Sequence, residues 1–198
     1  MTIAVSQRVV FDLKTGERRD ALDQRWPQFL EQAGLFGVPV PNCEELLPSF
    51  LRRIRPRGVL LTGGNDLASL GGDAPERDAV EASLIGYAKS NDLPLLGVCR
   101  GMQIIQAQFG VPLARVEGHV APAQRIEFEG REIDVNSYHG FGSCESAPGL
   151  KVCGRSIDGV VKAVRAGRML GIMWHPERIE PARGEDLALF RGFFGAAE

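Results

Sequence analysis

Leu93-Pro94-Leu95-Leu96-Gly97-Val98-Cys99-Arg100-Gly101-Met102-Gln103-Ile104-Ile105 changes periodicity in its middle. Leu93 to Val98 is a continuous apolar run, as expected of a strand buried on both faces of a parallel sheet. From Gly101 to Phe109 the apolar residues recur at helical spacing. The chain must therefore turn from strand to helix at Cys99, in a G-x-nucleophile-x-G pattern with cysteine in the place serine often takes. Such a turn projects its central side chain from the sheet edge, and flanking glycines keep it free of clashes. A thiol there also meets the N-terminal end of a helix, whose dipole favours thiolate, and the Arg100 N–H points where an oxyanion would form. A small core residue is the plain alternative for a cysteine. The glycines and the junction favour a nucleophile.

Working outward, the same alternation recurs. Ile3 to Val5 reads as a strand, and Leu22 to Ala33 as a helix with Trp26, Phe29, Leu30 and Ala33 on one side, closed by Gly34. Val38 to Pro41 is extended, and Glu44 to Ile54 is a second helix. Gly58 to Leu61 is a buried strand that stops at Thr62-Gly63-Gly64-Asn65-Asp66, and Pro75 opens a helix to Ser90. This order predicts an α/β fold of three layers around a doubly wound, mostly parallel sheet, flavodoxin-like in type. The later half predicts a C-terminal antiparallel extension. Arg125 to Phe128 pairs with Glu132 to Val135, Val160 to Arg165 pairs with Met169 to Trp174, and a helix from Asp186 to Phe194 ends the chain. With no linker and no repeat, residues 1–198 are expected to form a single domain.

The 198 residues are 44% hydrophobic and 24% charged, with a formal net charge of −2. That leaves no basic surplus for nucleic acid or a membrane surface, and no apolar run approaches a membrane span. Met1 to Val10 lacks the make-up of a signal peptide. The expectation is a soluble cytoplasmic protein whose four cysteines are free thiols. No spacing suits a structural zinc site, so no metal is expected.

An activated thiol needs a base, and the base needs a group that fixes its tautomer. Met169 to Trp174 ends in His175-Pro176-Glu177, which supplies both at a strand end. Residues two apart on an extended segment share a side, so Glu177 can reach the second ring nitrogen of His175. His-Pro-Glu alone is also a common surface turn; beside the Cys99 elbow it gains weight. Gly63-Gly64 has neither spacing of a phosphate loop. Its backbone N–H groups are read instead as the other half of an oxyanion hole. His119 and His139 are each more often satisfied polar residues than catalysts, although His139 lies in a polar strand end, Asn136-Ser137-Tyr138-His139.

Taken together, Leu61 to Asp66, Arg77-Asp78 with Glu81, Gly97 to Gln103, Val135 to His139 and Trp174 to Glu177 resemble the class I glutamine amidotransferases. Within them, Cys99-Arg100-Gly101 is similar to the γ-glutamyl hydrolase branch, peptidase family C26. The resemblance spans nearly the whole chain. It implies a Cys99–His175–Glu177 triad, an oxyanion hole from Gly63, Gly64 and Arg100, and contacts to the γ-glutamyl group from Gln103, Asn136, Ser137, Tyr138 and His139. It implies no metal and no cofactor. The implied reaction releases glutamate from a γ-glutamyl amide through a γ-glutamyl thioester.

Ser6-Gln7-Arg8, Ala21 to Trp26 and Gly118-His119-Val120 further resemble enzymes acting on γ-glutamyl-CDP-amidate in capsule biosynthesis. Gly140 stands where aminobutyrate-conjugate hydrolases tend to carry a second histidine. Three alternatives stay open: a hydrolase of γ-glutamyl-aminobutyrate, a glutaminase subunit passing ammonia to a synthase, and a non-catalytic binding relative. Arg8, Arg18, Arg19, Arg25, Arg77 and Arg100 are candidate contacts to a charged leaving group. Arg77 and Asp78 are also candidates for a structural ion pair. The expected partner is a small γ-glutamyl substrate, with a homodimer allowed but not required.

Overall fold

A computed structural model of the chain describes residues 1–195. Apolar strands buried on both faces build the centre. In chain order the elements are β1 (Thr2–Val5), a hairpin of β2 (Arg8–Asp12) and β3 (Glu17–Ala21), α1 (Arg25–Gln32), β4 (Phe36–Pro39), α2 (Leu47–Ile54), β5 (Val59–Leu61), α3 (Pro75–Ser90), β6 (Leu95–Val98) and α4 (Arg100–Gln108). The second half adds β7 (Ala114–Arg115), β8 (Val120–Phe128), β9 (Arg131–Tyr138), β10 (Phe141–Gly142), β11 (Lys151–Ser156), β12 (Val161–Ala166), β13 (Met169–Ile172) and α5 (Gly184–Phe194).

Nine strands form one sheet in the order β4-β1-β5-β6-β13-β12-β11-β8-β9. β4, β1, β5, β6 and β13 run parallel, and β12, β11, β8 and β9 extend the sheet antiparallel. The fold is the α/β class read from the sequence. Alternate residues go to opposite faces, as the strand period requires. Ile3, Val5, Leu60, Leu96 and Val98 pack with Trp26, Phe29 and Phe190 of α1 and α5. Ala4, Val59, Leu61 and Leu95 pack with Leu51, Val80, Leu84 and Ile105 of α2, α3 and α4.

Some element boundaries differ from the periodicity, each for a local reason. α2 starts at Leu47 rather than Glu44, because Pro48 belongs in a first helical turn, where its missing N–H is not needed. α1 starts at Arg25, after Asp23 has accepted the Arg25 N–H on its side chain at 3.0 Å. The extended segment after α1 lies at Phe36–Pro39, where it pairs with β1 from Thr2 to Val5. The hairpin expected around residues 125–135 is longer, reaching back to Val120 and on to Tyr138.

Register places the chemistry. Ile172 of β13 pairs with Val98 of β6, and Leu61 of β5 pairs with Gly97. The loops that follow these three strands, carrying His175, Cys99 and Gly63-Gly64, therefore leave the same carboxyl edge of the sheet, where open α/β sheets hold their ligands.

Candidate active site

Cys99 carries the strain that its place in the turn requires. Its φ is 53° and ψ is −104°, outside the regions an L residue favours, and α4 starts at the next residue. Two glycines make this geometry possible. A Cβ on Gly97 would run into the carbonyl of Gly101, and a Cβ on Gly101 into the carbonyl of Leu61. Strand and helix thus touch backbone to backbone on both sides of the thiol. Cys99 is 6% exposed, and its Sγ lies 3.9 Å from the Tyr138 carbonyl oxygen. All four cysteines are free thiols.

His175 and Glu177 complete the group. The His175 Nδ1 is 2.7 Å from Glu177 Oε1, with both side chains at most 2% exposed. A three-residue helical turn, Pro176–Arg178, folds the carboxylate back onto the ring. The backbone of His175 is fixed from β9: Asn136 Nδ2 donates to the His175 carbonyl at 2.8 Å, and the His175 N–H donates to Asn136 Oδ1 at 2.7 Å. Burial opposes a charge on the ring. Hydrogen bonds to Cys99 and Glu177, with the negative charges of both, outweigh it and hold the His175 pKa up at about 9. His175 is accordingly protonated at neutral pH.

Gly63 lies against the imidazole; a Cβ there would stand 2.5 Å from His175 Cε1. The N–H groups of Gly63 and Gly64 meet no protein acceptor among the described residues. The Arg100 N–H, first in α4, has no intrahelical acceptor either. The three N–H groups named from the sequence are thus free donors, one on the turn that carries the thiol and two on the loop that borders His175.

The residues expected to grip a γ-glutamyl group are differently employed. Gln103 donates through Nε2 to the Phe141 carbonyl at 2.9 Å, and Asn136 is occupied with His175. Ser137 Oγ donates to the His119 carbonyl at 2.8 Å. His139 is bound at Nδ1 to the Phe141 carbonyl and at Nε2 to Lys162 Nζ, 2.6 Å away. Of the five, Tyr138 alone is exposed, its ring 6.1 Å from that of His175 and covered by the Arg178 guanidinium at 5.3 Å. The segment offers one aromatic face, while its other side chains serve the scaffold.

Most of the arginines that could meet a leaving group are committed elsewhere. Arg77 and Arg100 are buried, at 0% and 1% exposure, and paired with Glu81 and Asp78. Burial lowers both pKa values to about 9, so both stay charged at neutral pH. Arg18 pairs with Glu76, and Arg19 with Asp12 and Glu17. Arg8 is exposed and, with Arg178, lines a crevice of about 30 Å³ beside Gly63 and Glu177. A far larger cleft of about 630 Å³ lies across the antiparallel strands, lined by Glu127, Lys151 and Arg155, and includes none of Cys99, His175 and Glu177.

One group near the site belongs to none of the sequence motifs. Lys162 is 2% exposed, and its Nζ meets His119 Nδ1 at 2.9 Å, Ser137 Oγ at 3.1 Å and His139 Nε2. Burial lowers its pKa to about 8, against the pull of Asp158 and Cys99. Burial and then the nearby ammonium drive the His139 pKa down to about 3, so its ring stays neutral and accepts from Lys162. Its signal is a lysine inside Val160-Val161-Lys162-Ala163-Val164, where a strand buried on both faces leaves no solvent for a charge.

Residues 3–127 and 119–177 match the family model of peptidase C26. The chain belongs to that family. Among its relatives is γ-glutamyl-CDP-amidate hydrolase of Campylobacter jejuni, 28% identical over 90% of each chain. A γ-glutamyl-γ-aminobutyrate hydrolase of Escherichia coli O157:H7 is also 28% identical, over 92% of this chain and 89% of its own. A solved structure from Thermoplasma acidophilum, described as a GMP synthase subunit, superposes with a TM-score of 0.73. It covers 99% of this chain and 94% of its own at 18% identity, a likeness of fold. This C26 protein is a hydrolase of the γ-glutamyl hydrolase and glutamine amidotransferase type. Among its described residues no helix is long and apolar enough to cross a membrane.

Proposed function

We propose that this C26 protein hydrolyses a γ-glutamyl amide through a thioester on Cys99. The observation that carries the reading is the strained, buried Cys99 beside a His175 that Glu177 and Asn136 fix from two sides. In the first step the Cys99 thiolate adds to the γ-carbonyl, and the carbonyl electron pair moves onto oxygen. The N–H groups of Arg100 and of Gly63 or Gly64 hold that oxyanion, each worth about 3–4 kcal/mol in the transition state. The tetrahedral intermediate collapses, the C–N bond breaks, and the His175 imidazolium gives its proton to the departing nitrogen. Water then donates a proton to the now neutral His175 and attacks the thioester. Glutamate leaves, and the thiolate–imidazolium pair is restored.

The substrate is proposed to be a γ-glutamyl-CDP-amidate or a related γ-glutamyl conjugate, so that the amidate or amine leaves while the γ-glutamyl group stays on Cys99. The C. jejuni relative supports this, as does Gly140 in place of a second histidine. The purified chain, without any partner, is assayed against γ-glutamyl nucleotide amidates, γ-glutamyl-aminobutyrate, polyglutamates and glutamine. Release of glutamate from a nucleotide amidate in clear preference is the expected result. Preference for the aminobutyrate conjugate would reassign the leaving group. Turnover of glutamine alone, or only beside a synthase, would replace the reading with that of an ammonia-supplying subunit.

A further inference from the structure

Three successive carbonyl oxygens converge on one buried guanidinium. Arg77 Nη2 donates to the carbonyls of Thr62 at 2.7 Å and Gly63 at 3.1 Å, and Nη1 to that of Gly64 at 2.5 Å. In a trans peptide the C=O and the following N–H point in opposite directions. Drawing these carbonyls to Arg77 therefore turns the N–H groups of Gly63, Gly64 and Asn65 to the far side of the loop. Gly63 borders His175 there, and the first two of those N–H groups have no protein acceptor among the described residues. Successive N–H groups turned one way make a concavity for an anion.

Arg77 is itself held by a group that also holds the opposite wall. Its Nε donates to Glu81 Oε1 at 2.9 Å, an oxygen that takes Ser6 Oγ at 2.7 Å as well. The other oxygen of Glu81, which is fully buried, accepts from Arg100 Nη1, and Arg100 Nη2 donates to Asp78. Arg100 follows Cys99 and supplies its own N–H to the thiol side. One carboxylate thus ties the residue that shapes the glycine loop to the residue that follows Cys99 and opens α4. Two guanidiniums and two carboxylates balance in charge. Stability alone does not account for such a set, because apolar replacements of buried ion pairs are commonly neutral or stabilising.

We propose that Arg77, anchored on Glu81, is a positioning residue that aims the Gly63 and Gly64 N–H groups at the oxyanion and locks them in register with Arg100. This rests on the hydrolase reading above. The five-donor planar fork is what the task requires, since it spans three carbonyls and a carboxylate together. A lysine offers one point of charge with three donors.

The test is Arg77→Lys, which keeps the charge opposite Glu81 and loses the fork. Three assays are compared with wild type: kinetics giving kcat and KM on a γ-glutamyl amide, alkylation of Cys99 by iodoacetamide, and inhibition by an aldehyde with CHO in place of the γ-carboxamide. The aldehyde adds the Cys99 sulfur to its carbonyl carbon, and the resulting oxygen needs the same N–H donors. The expected result is a kcat lower by roughly 10²-fold with KM little changed. Aldehyde inhibition weakens by a similar factor, and alkylation is unaltered. Unaltered kcat overturns the proposal, as does full aldehyde affinity beside a reduced kcat, or alkylation that falls in step with kcat. If R77K does not accumulate as folded protein, the double variant R77M/E81M removes the charges as a pair. Retained aldehyde affinity there overturns the proposal, and its loss with alkylation intact supports it. Absence of any γ-glutamyl turnover in the wild type would defeat the functional reading separately, because alkylation and aldehyde binding report on the loop without turnover.

Discussion

Glu177→Gln isolates what the carboxylate held against His175 does. The glutamine retains an oxygen able to accept the Nδ1–H of His175, now 2.7 Å from Glu177 Oε1, so ring orientation and tautomer are preserved. What disappears is the charge. The rise of the His175 pKa from 6.5 to about 9 is worth about 3 kcal/mol in favour of the imidazolium, achieved against burial by Cys99 and Glu177. If the Glu177 charge supplies half, its loss costs about 1.5 kcal/mol, or roughly a tenfold fall in the ratio of imidazolium to imidazole. The sign follows from the role. His175 must carry a proton to release the leaving nitrogen, so kcat/KM falls as pH rises through its pKa. Wild type is expected to lose kcat/KM with an alkaline midpoint near 9. E177Q is expected to lose it at distinctly lower pH, its deficit growing from about twofold at pH 8 toward roughly tenfold above pH 9. The assay is initial rate against pH at substrate well below KM. An alkaline limb in E177Q that coincides with that of wild type would show that the Glu177 charge does not hold the proton on His175.

Three further outcomes are expected. Cys99→Ala abolishes hydrolysis but keeps the strained φ of 53°, whereas Cys99→Gly relieves it; in thermal melts C99G is expected to exceed C99A by about 1 kcal/mol, and equal melting would argue against strain in the elbow. Asn136→Ala removes both hydrogen bonds to the His175 backbone and should cost about 2–4 kcal/mol of stability with a larger fall in kcat than in KM; unchanged kinetics would show that β9 does not hold the histidine. His139 has a pKa near 3 in the folded protein and an ordinary 6.5 when unfolded, so the unfolded chain binds the extra proton and stability is lost as pH falls from about 6.5 toward 3. Denaturant titrations should show a shallower acid loss in His139→Gln, and an identical slope would contradict this.

The central fold was legible because its signals are local. Val59 to Leu61 and Leu95 to Val98 are apolar without interruption, and the glycines at 97 and 101 mark where backbone must meet backbone. The β2–β3 hairpin was not legible, because its strands are mostly exposed and Glu17-Arg18-Arg19-Asp20 has no apolar alternation. It is held through long-range bonds instead: Asn65 pairs with both backbone groups of Val9, at 2.9 Å each, and Asn42 binds Asp20. No window of sequence contains such pairs. The same limit applied at the site. Cys99, His175 and Glu177 could be named from their turns, since each lies at a strand end. That Asn136 grips a backbone 39 residues away, or that Arg77 gathers three carbonyls from the glycine loop, depends on which strands adjoin.

The claim that Cys99 bears the γ-glutamyl group is tested most directly by quenching the enzyme during turnover in acid and locating the adduct by peptide mass spectrometry. A γ-glutamyl thioester is expected on the peptide containing Cys99. It should form together with a burst of released amine stoichiometric with enzyme, and both should be absent from C99A. Release of amine and glutamate in step with no burst and no adduct, hydrolysis retained by C99A, or an adduct on Cys43, Cys144 or Cys153 would contradict it.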